Sequence, residues 1–197
     1  MILYFSPGAC SLASHIALRE VGADFDLDRV DLKSKTTSQG RDYFKVNPKG
    51  YVPALALGSG EILTENVAIL DWIAATYGKL GYDGILGRTR LLEVLAYISS
   101  ELHKSFKPLF SDSSESEKNE AKDYIKKRLQ FLAGRIDGDH LLGSRFTVAD
   151  CYLFVILRWA ETFGIGVPSE LAAYRTTLMA RPSIKDALQE EGLPARV

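Results

Sequence analysis

The glycine-rich segment GKLGYDGILG, residues 78–87, separates two parts of the chain whose sequence patterns differ. Before it, segments rich in strand-forming residues alternate with segments of helical spacing, whereas the sequence after it carries helical patterns alone. Four glycines within ten residues are typical of a connection between folded units. We therefore predict an α/β domain over residues 1–77, a linker over 78–87 and an all-helical domain over 88–197.

The first part reads as a strand, a helix and a strand, followed by a hairpin and a final helix. MILYF is rich in strand formers, the helical spacing of Ser11–Val21 stops at Gly22, and DFDLDRVDL indicates a second strand. ALAL and EILT form a hairpin around Gly58–Gly60, and ENVAILDWIAATYG closes this part as a helix. This order predicts a thioredoxin-like domain with its active edge at the start of the first helix.

The second part contains long helical patterns with clear start signals. RTRLLEVLAYISSELHKSF is amphipathic from Arg88 onward, and Ser114 with Glu117 forms a capping box for the next helix. Thr147 and Asp150 repeat that spacing ahead of VADCYLFVILRWA, which is apolar on nearly all faces. We expect this last segment to be the central buried helix of the second domain.

Charge and cysteine content exclude several classes of function. The formal net charge of −1 and a pI near 6.3 do not favour nucleic acid or an anionic membrane as a partner. No signal-peptide pattern occurs and the longest apolar run, CYLFVIL, is too short to cross a bilayer, so we expect a cytoplasmic protein. Cys10 and Cys151 form no disulfide framework, and no zinc-ligand spacing occurs, so we expect no metal.

Cys10 lies at the first turn of the first predicted helix. The leading N–H groups of a helix are unpaired and the peptide dipoles add there, which favours a thiolate over a thiol. The alternative is a small apolar residue that fills space. The motif is C-S-L-A rather than C-x-x-C, so a redox cycle at Cys10 needs an external thiol, and glutathione is the abundant cytosolic candidate.

Two short motifs next to the predicted hairpin are candidate binding elements. Val52-Pro53 precedes the hairpin, where a cis bond would turn the Val52 backbone outward to pair with an extended peptide; an ordinary trans bond is the alternative. Thr64-Glu65-Asn66 opens the following helix. Backbone N–H groups there bind an anion and Glu65 binds a cation, which suits the γ-glutamyl end of glutathione; plain helix capping is the alternative.

Ser100, His103, Lys104 and Lys107 fall on one face of the helix predicted from Arg88. Such a polar stripe usually faces solvent. A functional role requires that it face Cys10, where an imidazole would donate a hydrogen bond or a proton and ammonium groups would bind carboxylates.

Five segments together resemble the bacterial beta-class glutathione transferases: PGACSLASHIALRE, NPKGYVPAL, LTENVAI, SSELHKSFKPLF and GSRFTVADCYLF. The resemblance spans nearly the whole chain. It implies a thioredoxin-like domain followed by a helical domain, a homodimer, and glutathione as co-substrate without a further cofactor. The implied reaction joins the glutathione thiol to small hydrophobic electrophiles.

The resemblance also implies roles for individual residues. Cys10 would lie beside the glutathione sulfur with His103 closest among the helical residues, and Val52 with cis-Pro53 would pair with the cysteinyl backbone. Glu65 and Asn66 would contact the γ-glutamyl end of glutathione, and Lys35 would lie near its glycyl end. Ser100 and Lys104 would belong, with His103, to the helical wall of the glutathione site. The Ser11 hydroxyl is a further candidate to support a thiolate. The chain departs from many relatives at Phe5, where they have tyrosine, and at Ala96, where they often have asparagine.

Three functional hypotheses follow. The first is a glutathione transferase that conjugates small hydrophobic electrophiles and also exchanges thiols and disulfides through Cys10. The second is a mainly redox enzyme of the same fold that reduces mixed disulfides. The third is a protein of the same fold that binds a ligand or a protein partner without catalysis. The presence of Cys10, Glu65 and His103 favours the enzyme, because a scaffold needs none of them.

Overall fold

The computed structural model describes residues 1–136 and 138–194. Over these residues the chain forms two compact units. The first contains Met1–Leu80 together with the described residues from Met179 onward, and the second is Gly81–Leu178.

The first unit is built on a mixed five-stranded sheet in the order β3-β2-β1-β4-β5. Its strands are β1 (Ile2–Phe5), β2 (Asp26–Asp31), β3 (Thr36–Thr37), β4 (Ala54–Ala56) and β5 (Ile62–Thr64). β1 and β2 pair in parallel, so the chain must cross over between them, and α1 (Ser11–Val21) makes that crossover. α2 (Asn66–Tyr77) follows the hairpin of β4 and β5. The thioredoxin-like layout is confirmed.

Alternation along β1 places neighbouring side chains on opposite faces of the sheet. Tyr4 packs in a buried cluster with Val30 and Tyr43, and its ring centroid lies 5.8 Å from that of Tyr43. Phe5 lies on the α1 side, with its ring centroid 6.1 Å from that of His15. Tyr4 therefore does not replace the tyrosine that many relatives have at the position of Phe5.

Helix α7 (Pro182–Glu190) packs against α1 and belongs to the first unit. The His15 side chain is fully buried between two carboxylates: its Nε2 lies 2.7 Å from Glu190 Oε2 and its Nδ1 lies 3.0 Å from Glu191 Oε1. The sequence division assigned all of residues 88–197 to the helical domain. The structure instead groups the described residues from Met179 onward with the sheet, and the contacts of Glu190 and Glu191 with His15 join them to α1. Local sequence pattern does not predict contacts between residues so distant in sequence.

The second unit is helical. Its α-helices are α3 (Gly87–Tyr97), α4 (Glu115–Ala133), α5 (Val148–Thr162) and α6 (Ser169–Met179), the last ending at the boundary of the unit. Most of α5 is buried, as predicted for the central helix. The capping boxes of Ser114 with Glu117 and of Thr147 with Asp150 are both present.

The helix predicted from Arg88 is not a regular α-helix over its whole length. After α3 the chain makes a π-helical turn over Ile98–Leu102 and a 3-10 segment over His103–Phe110 that contains Pro108. A π turn changes the angular spacing of the residues that follow it, and proline lacks the N–H for the helical ladder. Along this segment Ser100, Lys104 and Lys107 are exposed, whereas His103 is half-buried.

Within residues 1–136 and 138–194, no helix combines the length and the apolar character needed to cross a bilayer.

Candidate functional site

Cys10 lies at the junction between β1 and α1, where it joins three segments of the first unit. Its Sγ donates to the Val52 carbonyl at 3.3 Å, and its own carbonyl accepts from Asn66 Nδ2 at 3.2 Å. Cys10 immediately precedes α1. The predicted grouping of Cys10, Val52 and Asn66 is therefore present in the structure.

The Cys10 sulfur is a buried thiol. Burial raises its pKa to about 12, the nearby Glu65 charge acts in the same direction, and the backbone N–H groups of Cys10 and Ser11 oppose the rise. The prediction that the helix start favours a thiolate at Cys10 is therefore wrong, because loss of solvation outweighs the hydrogen bonds of the helix start.

The Val52-Pro53 peptide bond is cis, which decides between the two alternatives left open by the sequence. Both residues are buried, and the Val52 carbonyl accepts the Cys10 thiol hydrogen. The carbonyl expected to face a bound peptide thus lies directly beside Cys10.

Glu65 lies immediately before α2 with a φ of 71°, a left-handed backbone conformation unusual for a glutamate. Its exposed side chain forms an ion pair with Lys49, whose Nζ also donates to Thr64 Oγ1 at 2.9 Å. Lys49 was not among the site residues predicted from the sequence. The hairpin register contained a signal, since Ala54 pairs with Thr64 and so brings the segment before β4 close to the residue after β5.

Asn66 joins the starts of α1 and α2. Its side chain is buried, with Oδ1 accepting from Ser14 Oγ at 2.7 Å and Nδ2 donating to the Cys10 carbonyl. The Asn66 amide, which was predicted to contact the γ-glutamyl end of glutathione, therefore already bonds Ser14 and the Cys10 carbonyl. The backbone N–H groups that begin α2 remain available for that role.

Lys35 and Ser11 hold the loops around Cys10. Lys35 Nζ donates to the Gly50 carbonyl at 2.9 Å, which places its ammonium beside the segment that leads to Val52. The buried Ser11 hydroxyl donates to the Ser6 carbonyl at 3.4 Å and accepts from its N–H at 3.3 Å. These bonds engage the hydroxyl that was expected to support a thiolate.

In the second unit, His103 packs against α5 instead of facing solvent. Its Nδ1 lies 2.6 Å from Tyr152 Oη, either group being able to donate, and its ring centroid lies 5.0 Å from that of Trp159. Burial, helped by the Lys104 charge, lowers the His103 pKa to about 4. The imidazole is therefore neutral at pH 7.

An aromatic cluster beside His103 was not identified from the sequence as part of a site. The Phe110 ring centroid lies 5.1 Å from that of Trp159 and 4.9 Å from that of Phe163, and Phe106 contacts all three rings. Phe110 is 59% exposed, which leaves an accessible aromatic surface on the helical unit. Aromatic residues within helical patterns predict a core, so the sequence carried little signal for this exposure.

The chain matches two family descriptions that together span most of its length. Residues 8–76 match "Glutathione S-transferase, N-terminal domain" and residues 94–182 match "Glutathione S-transferase, C-terminal domain". Glutathione S-transferase GstA of Escherichia coli O157:H7 is 44% identical, over 98% of this chain and all of that protein.

Solved structures give the same result. A bacterial beta class glutathione S-transferase of Sphingomonas chungbukensis has a TM-score of 0.91 and 46% identity, over 98% of this chain and all of that chain. A sphingomonad glutathione S-transferase complexed with glutathione has a TM-score of 0.89 and 47% identity, with the same coverage. The chain therefore belongs to the glutathione S-transferase family and is a transferase of its bacterial beta class.

Proposed function

We propose that this transferase joins the glutathione thiol to small hydrophobic electrophiles and also exchanges thiols and disulfides through Cys10. The observation that carries the proposal is the position of Cys10 in the first unit. Its Sγ lies 3.3 Å from the Val52 carbonyl oxygen, and the same unit contains Glu65 immediately before α2. It is supported by the likeness to a sphingomonad transferase whose structure contains glutathione.

In this proposal the first unit binds the peptide backbone of glutathione. The Val52 carbonyl accepts the cysteinyl N–H, and the first N–H groups of α2 bind the γ-glutamyl carboxylate. Glu65 binds the γ-glutamyl ammonium, and Lys35 binds the glycyl carboxylate. A hydrogen bond to a charged group contributes about 1.5–3 kcal/mol, so Glu65 and Lys35 account for much of the affinity.

Conjugation uses the sulfur of glutathione as the nucleophile. The glutathione thiol loses its proton to solvent, its sulfur bonds to the electrophilic carbon, and the leaving group departs with its electron pair. Holding both reactants together supplies several kcal/mol of barrier reduction. The resemblance places His103 closest to the glutathione sulfur and assigns Ser100 and Lys104 to glutathione binding. The neutral His103 imidazole suits a hydrogen-bond donor better than an acid at pH 7.

The aromatic cluster of Phe106, Phe110, Trp159 and Phe163, in which Phe110 is the exposed ring, supports an aromatic electrophile. Flat rings pack favourably against one another in offset or edge-to-face geometry. The half-exposed Phe110 offers such a contact without rearrangement of the helical core. We therefore propose aryl electrophiles as the preferred class.

Thiol exchange uses Cys10 as the nucleophile. The Cys10 thiol loses its proton to solvent, and its sulfur attacks the glutathionyl sulfur of a glutathione mixed disulfide; the disulfide bond breaks and the other thiol leaves as a thiolate. A glutathione thiolate then attacks the glutathionyl sulfur on Cys10, which releases glutathione disulfide and restores Cys10. No second protein cysteine takes part.

The proposal includes a homodimer, which is typical of the family, a cytoplasmic location, and glutathione as the single co-substrate. Sedimentation at micromolar concentration tests the dimer, for which a mass near twice the 21.8 kDa of the chain is expected.

Glu65→Gln tests the glutathione site most directly. It removes the carboxylate charge but keeps the side-chain shape, and should weaken glutathione binding by about tenfold or more in titration calorimetry. Glu61→Gln is the matched control, because Glu61 is an exposed carboxylate in the same hairpin outside the site. Equal affinity of the wild type and Glu65→Gln would remove Glu65 from the site, and conjugation of an aryl halide measured in parallel reports the reaction itself.

A further inference from the structure

The Glu65 carboxylate already holds a cation supplied by the chain itself. Lys49 Nζ forms an ion pair with Glu65 and donates to Thr64 Oγ1 at 2.9 Å. Both partners remain accessible, with 44% of the Lys49 side chain and 69% of the Glu65 side chain exposed. The Lys49 ammonium therefore contacts the same carboxylate that, in the proposed function, binds the ammonium of glutathione.

The fold places Lys49 there through a tight turn. In the motif Asn47-Pro48-Lys49-Gly50, the Asn47 side-chain oxygen accepts the Lys49 N–H at 3.2 Å, and the Asn47 carbonyl accepts the Gly50 N–H at 2.8 Å. Gly50 has a φ of 68°, which glycine adopts without strain. The turn fixes the direction of the lysine, and the pairing of Ala54 with Thr64 brings it to Glu65.

We infer that Lys49 is a specificity-determining residue that competes with the ligand ammonium for Glu65. The inference rests on the proposed function. A ligand with a free α-amino group must displace Lys49 from Glu65, whereas a ligand without that group leaves the ion pair intact. Lys49 therefore lowers the affinity for glutathione. It also reduces the difference in affinity between glutathione and ligands that lack a free α-amino group.

The test compares Lys49→Met with Lys45→Met by titration calorimetry with glutathione. Lys45 is an exposed lysine in the preceding 3-10 turn, Tyr43–Lys45, so its replacement removes the same charge nearby without touching Glu65. An exposed ion pair contributes little, so Lys49→Met should lower the dissociation constant of glutathione by about two- to fivefold. Lys45→Met should leave it unchanged.

Two further arms isolate the competition. With glutathione acetylated at its α-amino group, Lys49→Met should not tighten binding, because that ligand does not displace the lysine. In a Glu65→Gln background the gain should also disappear, as a double-mutant cycle requires of a direct pair.

The outcomes separate this inference from the function on which it rests. Unchanged or weaker glutathione binding in Lys49→Met, or equal tightening in Lys45→Met, overturns the competition while a loss of binding in Glu65→Gln still supports the site. If Glu65→Gln binds glutathione as the wild type does, the cation site fails, and the inference fails with it.

Discussion

The Nδ1 atom of His15 lies 3.0 Å from Oε1 of Glu191, and both side chains are fully buried. The same carboxylate accepts the N–H of Gly8 through Oε2 at 2.8 Å, two residues before Cys10. The His15–Glu191 contact joins residues 176 positions apart, and Glu191 thereby connects the segment after α7 to both α1 and the loop that precedes Cys10.

We predict that Glu191→Ala destabilises the protein by about 2–5 kcal/mol, because the Gly8 N–H and the His15 ring lose a buried acceptor. Glu190→Ala should cost less, since that carboxylate is 34% exposed and water can replace it. Chemical denaturation measures both. Equal losses of unfolding free energy for the two variants would show that burial does not determine how much Glu191 contributes to stability.

The low pKa of His103, about 4, predicts a pH dependence of stability. The unfolded chain binds a proton near pH 6.5, whereas the folded protein binds it only near pH 4. The unfolded state therefore takes up the proton first as pH falls, and the free energy of unfolding should decrease between pH 6.5 and 4, by on the order of 3 kcal/mol.

In His103→Gln, the decrease in unfolding free energy that is due to His103 should be absent. The pH dependence of stability that is due to carboxylates should remain. Denaturation curves for the wild type and the variant at half-unit pH intervals provide the measurement. Parallel pH profiles for the two proteins would contradict a buried neutral imidazole.

Cys10 should react slowly with alkylating reagents in the free protein. A pKa near 12 instead of 9.0 lowers the thiolate fraction at pH 7.5 by roughly a thousandfold relative to an ordinary cysteine. In a Cys151→Ala background, the rate of modification by iodoacetamide should rise through pH 9.5 without a plateau. A plateau with a midpoint near pH 7 would mean that the helix start outweighs burial.

Asp150 should be important for the stability of the helical unit. Its carboxylate is fully buried and accepts from the Thr147 N–H at 2.7 Å, the Leu141 N–H at 2.8 Å and the Tyr174 hydroxyl at 2.6 Å. Tyr174→Phe removes one donor to a buried charge and should cost about 1.5–3 kcal/mol in denaturation experiments. Glutathione affinity should not change, and a change in it would give this cluster a role in the site.

The sequence predicted those features that depend on local pattern. The position of Cys10 at a helix start, the hairpin before Glu65 and both capping boxes follow from spacings within a few residues. The ionisation of Cys10 does not, because it depends on burial and on the distant Val52 carbonyl. Lys49 was missed for a similar reason, since only the paired hairpin brings it to Glu65.

The helix from Arg88 shows a different limit. Leu102 and Phe106 are buried as a regular helix requires, so the apolar spacing gave no sign of the π turn over Ile98–Leu102. Directly after that turn, His103 packs on Tyr152 while Lys104 remains exposed. Periodicity detects the helix but not a local change in its winding.

The central claim is that Cys10 is the nucleophile of disulfide exchange but only a neighbour of the nucleophile in conjugation. It is tested by measuring kcat/KM of Cys10→Ala and Cys10→Ser for an aryl halide and for a glutathione mixed disulfide. Serine keeps a donor for the Val52 carbonyl, so it controls for loss of the 3.3 Å contact. We predict that both variants lose exchange entirely and retain conjugation within about tenfold of the wild type. Equal loss of the two activities, or exchange that survives in Cys10→Ala, would contradict the account.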